Sequence, residues 1–154
     1  MKLTFVCLGN IGRSPMAEFI FKNLLASSDL ENVRVDSAAT SYEEVGNPIY
    51  PPARSALTAH AVPYDASKRA RRLTKSDYAS TDLFVCMEER NRRDCLRIFG
   101  GDPEGKVVRL LDFTKLKCDV ADPYYTGDFE TTYRLILTGC EGLIAELKGG
   151  EIRK

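Results

Sequence analysis

The sequence predicts an α/β fold, a parallel sheet of four strands with helices on both faces, and three observations predict it. Short apolar runs recur along the chain, segments with helical spacing separate them, and the first run ends abruptly in a polar, glycine-bearing loop. Strands that alternate with helices build a parallel sheet covered on both sides, with ligands bound at the carboxyl ends of the strands. At 154 residues the chain has the size of one ordinary domain with material for a real core, so a single domain over 1–154 is expected.

The elements follow in order. Lys2 to Leu8 is apolar and partly β-branched or aromatic, as a buried central strand requires. Ser14-Pro15 opens a helix with Met16, Phe19, Ile20, Asn23 and Leu24 at helical spacing, and Pro15 stands in the first turn, where a missing N–H costs nothing. Further strands are expected at Val33 to Ser37, Asp82 to Met87 and Lys106 to Leu111. Helices are expected near Pro52 to His60, Lys75 to Ser80 and Glu88 to Phe99. The last helix is the clearest, its apolar stripe running from Phe129 through Tyr133, Ile136, Cys140 and Leu143 to Leu147 before Gly149-Gly150 stops it. Gly139 and Gly142 weaken that helix, and close approach to a neighbouring element is the expected reason. Together these elements describe a single-domain, flavodoxin-like sheet.

Composition excludes several classes of function. Lys plus Arg equal Asp plus Glu at 22 each, so no overall field draws the chain to nucleic acid or to an anionic membrane. The five cysteines are an odd number without metal-type spacing, and the opening Met-Lys-Leu-Thr leads only a short apolar run. A reduced, cytoplasmic protein without a signal peptide is expected. No apolar stretch approaches the roughly 20 residues that span a bilayer.

The chain is organised around Phe5 to Ser14, where the first strand ends on Cys7 and turns into Leu8-Gly9-Asn10-Ile11-Gly12-Arg13-Ser14. A loop closing on a helix N-terminus gathers unpaired N–H groups that attract phosphate-like anions. Gly9 and Gly12 let the backbone curl, and Asn10 is the non-glycine type that best tolerates a left-handed conformation. Arg13 offers a planar fork matched to two phosphate oxygens. Cys7, at the bottom of this cradle, is placed as a thiolate nucleophile, the N–H groups and Arg13 favouring its charged form. Taken alone, Cys7 also reads as a small core residue. Gly12-Arg13-Ser14 looks like the end of a nucleotide P-loop but fails on glycine spacing and on Arg in place of Lys.

Val6-Cys7-Leu8-Gly9-Asn10-Ile11 followed by Arg13-Ser14-Pro15-Met16-Ala17-Glu18 resembles the signature of the low-molecular-weight protein tyrosine phosphatases. The resemblance extends to Asp36-Ser37-Ala38-Ala39-Thr40, Val45-Gly46, Cys86-Met87-Glu88, Asn91 and Asp122-Pro123-Tyr124-Tyr125, nearly the whole chain in the family's order. It implies hydrolysis of phosphotyrosine in protein substrates through a phosphocysteine, with no cofactor and no metal, and inhibition by inorganic phosphate or similar oxyanions. It makes Cys7 the nucleophile, Arg13 the phosphate clamp and Asp122 the acid that protonates the leaving oxygen and then activates water. Without the resemblance, Asp122 reads as a solvated loop acid.

Other roles come the same way. Ser14 is a candidate hydroxyl donor to the Cys7 sulfur, or a helix N-cap. Ser37 resembles the family's serine that holds the loop asparagine, here Asn10; otherwise it satisfies backbone at a strand end. Tyr124 and Tyr125 are expected to line the mouth against a phosphotyrosine ring, and tyrosines at these positions can be phosphorylated in the family; alternatively they anchor the loop. By the same resemblance Ile11 favours phosphotyrosine, since this loop position looks like threonine in the related arginine phosphatases and is isoleucine in the tyrosine-specific branch.

Two departures from the pattern stand out. Gly12 replaces a second cysteine that traps oxidised nucleophile in many relatives, so oxidation of Cys7 should be harder to reverse. Tyr42-Glu43-Glu44 stands where many relatives have Trp, so either Tyr42 forms that wall or the wall is acidic. His60, the sole histidine, is expected in a structural or solvated role, and Lys68 to Arg72 with Arg90, Arg92 and Arg93 as solvated faces. The rival readings are an arginine phosphatase, a thioredoxin-coupled arsenate reductase relaying a disulfide through Cys86 or Cys95, and a phosphopeptide-binding module without turnover.

Overall fold

In the computed structural model, which describes residues 1–150, the first strand β1 (Lys2–Cys7) is central. Its alternate side chains enter two cores: Leu3, Phe5 and Cys7 one, Val6 the other. The strands β2 (Arg34–Ala39), β3 (Leu83–Cys86) and β4 (Val107–Arg109) complete a sheet in the order β2-β1-β3-β4, every pairing parallel. This is the expected doubly wound arrangement. The chain leaves β1 for one neighbour, β2, and later returns to the other, β3, so the strand order reverses at the carboxyl end of β1. Crevices open at such a reversal, and Cys7 stands there.

Helices α1 (Arg13–Ala26), α2 (Pro51–Ala59) and a long C-terminal helix (Phe129–Lys148) cover the face holding Cys7. The opposite face packs on a single turn α3 (Asp77–Ser80) through Tyr78 and on α4 (Glu89–Phe99) through Cys95 and Phe99. One further short helix, α5 (Pro123–Thr126), makes the C-terminal helix α6. Among the described residues no helix is long and apolar enough to cross a membrane.

Three boundaries differ from expectation. The fourth strand stops at Arg109, and Leu110–Phe113 winds into a 3-10 turn. Strand geometry would send Leu110 and Leu111 to opposite faces, whereas the turn buries both in the core beneath α6. The segment expected as helix from Lys75 is helical only from Asp77, because the Asp77 carboxylate accepts from Thr74 N–H at 2.7 Å and closes a side-chain turn instead. Helix α1 starts two residues early, with Gly12 as its N-cap, so Ser14 lies inside the helix and does not cap it.

The two glycines within α6 have the expected explanation. A Cβ at Gly139 would collide with the Leu110 side chain, and one at Gly142 with the Phe113 carbonyl oxygen. Gly142→Ala is therefore expected to destabilise the protein by about 1–3 kcal/mol despite the better helix propensity of alanine, since a backbone carbonyl cannot turn aside. Chemical denaturation would show this as a lower midpoint; an unchanged or higher midpoint would mean that the packing of α6 on the turn is loose.

Candidate active site

Cys7 ends β1 nearly buried, 3 % exposed, with its sulfur facing the loop that follows. The Ser14 hydroxyl lies 3.0 Å from Sγ and the Asn10 N–H donates to Sγ at 3.3 Å. Asn10 holds the left-handed backbone expected of it, φ 60°. That conformation is fixed from both ends of its amide: Nδ2 donates to Ser14 Oγ at 2.8 Å and to Ser37 Oγ at 3.0 Å, while Oδ1 accepts from Arg71 N–H at 3.1 Å. With a Ser14 lone pair engaged by Asn10, the serine hydrogen is left for the sulfur.

The network runs deeper than the loop. Ser37 Oγ donates to the buried Glu18 carboxylate at 2.6 Å, and Glu18 pairs with Lys22 at 2.7 Å and Lys68 at 3.3 Å. Lys68 also donates to the Ser37 carbonyl at 3.0 Å. Arg71 reaches both Asp36 and Asp77. The basic run Lys68 to Arg72, read from sequence as a solvated face, is thus partly a brace: it ties the β2 end and Asn10 to the loop around Cys7. Sequence gave no sign of this, because the partners are up to 61 residues apart.

Arg13, 2 % exposed, is held by three oxygens. Its NH1 donates to the Val120 carbonyl at 2.8 Å, and NH2 lies 3.4 Å from Glu88 Oε1 and 3.5 Å from Asp122 Oδ2. Asp122 is also the N-cap of α5, Oδ1 accepting from Tyr124 N–H at 3.0 Å, with Pro123 following in the first turn. The Asp-Pro pair therefore aims one carboxylate oxygen at the helix and the other at Arg13. Glu88 is fixed in turn by a capping box with Asn91 at the start of α4. The resemblance includes Glu88 without implying a role for it, and its place beside Arg13 depends on a contact between residues 75 apart.

Cys7, the loop Leu8 to Arg13, and Asp122 line one cleft, together with Glu43, Glu44, Tyr50, Pro123, Tyr124, Tyr125 and Phe129. Tyr50 and Phe129 were not foreseen. The ring of Tyr50 lies 6.1 Å from Tyr124 and 5.9 Å from Phe129, forming an aromatic wall that Pro51 and Pro52 position by starting α2 at that point. Tyr124 and Tyr125 are 67 % and 80 % exposed at the mouth. Tyr42, offered above for the wall, is not among the lining residues: the Arg72 guanidinium sits 4.4 Å over its ring and holds it outside. The wall on that side is the acidic alternative, Glu43 and Glu44.

The remaining candidates lie elsewhere. His60 stacks on Tyr133 with centroids 3.7 Å apart and bonds Glu130 at 2.8 Å, a structural tie between α2 and α6. Cys86 and Cys95, nine residues apart in sequence, bring their sulfurs to 3.8 Å, closer than their spacing suggested. They lie in the core on the opposite face of the sheet from Cys7, and burial pushes the Cys86 thiol up. A disulfide relay from Cys7 has no route to them. Cys140 is likewise buried, its thiol pushed up by desolvation. Among the described residues no three His, Cys, Asp or Glu side chains are grouped to hold a metal.

A family profile described as low molecular weight phosphotyrosine protein phosphatase matches residues 2–151. The Bacillus subtilis low molecular weight protein-tyrosine-phosphatase YfkJ is 37 % identical over 151 residues, 96 % of each chain. Its crystal structure superposes with a TM-score of 0.92, covering 98 % of this chain and 96 % of the other at 36 % identity. The human low molecular weight phosphotyrosine protein phosphatase is 40 % identical over 146 residues, 91 % of each chain. A structure of the arginine phosphatase YwlE, with a phosphorylated serine replacing its active-site cysteine, is 28 % identical, TM-score 0.84, covering 96 % of both chains. This chain belongs to the low-molecular-weight phosphotyrosine protein phosphatase family.

Proposed function

We propose that the protein hydrolyses phosphotyrosine in protein substrates through a phosphocysteine on Cys7. The observation that carries this reading is the convergence on one cleft of the Cys7 sulfur, the Arg13 guanidinium and the Asp122 carboxyl, with Arg13 bonded to the strand of chain that presents Asp122. The loop N–H groups and Arg13 bind the phosphoryl oxygens. The thiolate attacks phosphorus, the bond from phosphorus to the tyrosine oxygen breaks, and Asp122 gives its proton to that oxygen. Asp122, now a carboxylate, takes a proton from water, whose oxygen attacks phosphorus. The S–P bond breaks, inorganic phosphate leaves, and the Ser14 hydroxyl and Asn10 N–H receive the thiolate. Ser37 acts at one remove, by holding Asn10 in its left-handed conformation. Because phosphate fits the same cradle, product and similar oxyanions are expected to inhibit.

Phosphoarginine is the second reading, supported by the likeness to YwlE. Against it stands the cleft wall: Ile11, Tyr50, Tyr124 and Phe129 present apolar and aromatic surface suited to packing on a phenyl ring. Phosphate release from matched phosphotyrosine and phosphoarginine peptides, with EDTA present, separates the two. Faster release from phosphotyrosine, unaffected by the chelator, is expected. Preference for phosphoarginine would overturn the substrate assignment, and release from neither peptide would overturn the reaction.

A further inference from the structure

The cleft is electrically lopsided. Among the residues that line it, Arg13 is the one cation, and it lies at the bottom, already paired with Glu88 and Asp122. The same lining carries three carboxylates, Glu43, Glu44 and Asp122, together with Tyr124 and Tyr125, whose rings are largely exposed. Carboxylates beside open aromatic faces make a surface that receives cations, through charge and through the ring quadrupole. The same pairing already occurs nearby, where Arg72 lies over Tyr42.

The acidic side of the rim is also held in place. Ser41 N–H and Oγ both donate to the Leu8 carbonyl, at 3.1 and 2.9 Å, which fastens the start of this loop to the phosphate cradle. Gly46 N–H bonds Ala70 O, and Ala70 N–H bonds Asn47 O, both at 2.9 Å, which fastens its end. Within it, Glu44 Oε1 accepts from Asn47 Nδ2 at 2.9 Å, and the Glu44 stem packs over Gly9 so closely that a Cβ there would come within 3.2 Å of it. Glu44 is thus fixed at the edge of the cradle. Glu43 also borders a groove lined by Arg72, Arg90 and Arg97, whose charge offsets part of its own.

We propose that Glu44, assisted by Glu43, selects phosphotyrosine sites flanked by lysine or arginine and disfavours sites flanked by acidic residues. The proposal rests on the phosphotyrosine reading above. It makes the substrate class a basic phosphopeptide segment, its cationic side chain seated between Glu44 and the tyrosine faces while the phosphoryl group reaches Cys7.

The test compares kcat/KM for two phosphotyrosine peptides that differ only in Arg or Glu on either side of the phosphotyrosine. The ratio is the readout, since any general loss of activity in a variant cancels from it. A ratio on the order of tenfold in favour of the Arg peptide is expected at low ionic strength, shrinking at high salt as rim charges are screened. Glu44→Gln should remove most of it, Glu43→Gln less, and Glu44→Lys should invert it. A ratio near one in the unaltered protein, a preference for the Glu peptide, or a ratio unmoved by the Glu44 variants would overturn the proposal while leaving phosphotyrosine hydrolysis intact. No release from either peptide would overturn both.

Discussion

Cys7→Ser is expected to lower kcat on a phosphotyrosine peptide by at least about 10⁴-fold, the largest effect of any single substitution in the molecule. The reason lies in the surroundings of the sulfur. On the proposed reading, the Ser14 hydroxyl at 3.0 Å and the Asn10 N–H at 3.3 Å are the groups that contact the attacking sulfur. A serine hydroxyl does not ionise to any useful extent near neutral pH, and the groups bonded to Sγ among the described residues, the Ser14 hydroxyl and the Asn10 N–H, are not bases that could take its proton. Cys7 is nearly buried but packs chiefly through its small side chain, so the fold should persist and the phosphate cradle with it. Initial rates, together with a thermal melt close to that of the unaltered protein, check this. Retention of more than about a hundredth of the activity would mean that another group attacks phosphorus.

The second large effect belongs to Asp122. Asp122→Ala should cost about 10²–10⁴ in kcat for a phosphotyrosine peptide and less for an aryl phosphate whose phenol leaves readily without a proton. Alanine also uncaps α5 and removes one of the oxygens around Arg13. Asp122→Asn separates these contributions, because its amide oxygen can still accept from Tyr124 N–H but the side chain cannot carry the proton. Comparable losses in both variants are expected. Recovery of most of the activity in Asp122→Asn would reduce Asp122 to a structural cap.

What the sequence revealed was what is local. The cradle lies within Cys7 to Ser14, so its glycines, asparagine and arginine could be read from order and spacing, and the strand before it from an unbroken apolar run. The C-terminal helix announced itself through its stripe, and even its glycines signalled a close neighbour, which the fold supplies as Leu110 and Phe113. What escaped depended on folding that the local pattern does not encode. Lys68 and Arg71 brace the loop across long separations, Glu88 meets Arg13 only because β3 lies beside β1, and Tyr50 joins the wall because α2 begins there. Tyr42 was misplaced for a related reason: in a turn, neighbouring residues point in different directions, and Arg72 decides that Tyr42 points away. Cys86 and Cys95 looked unrelated because a strand end and the second turn of the next helix fold back on each other.

A covalent phosphocysteine on Cys7 would be caught by mixing the protein with excess phosphotyrosine peptide, quenching in acid within milliseconds and locating the phosphoryl group by mass spectrometry of the digested chain. One phosphoryl group is expected on the peptide containing Cys7, formed before steady-state release of phosphate and absent in Cys7→Ser under the same brief exposure. Rapid turnover with no phosphoryl group on that peptide, or with the group on another residue, would contradict it.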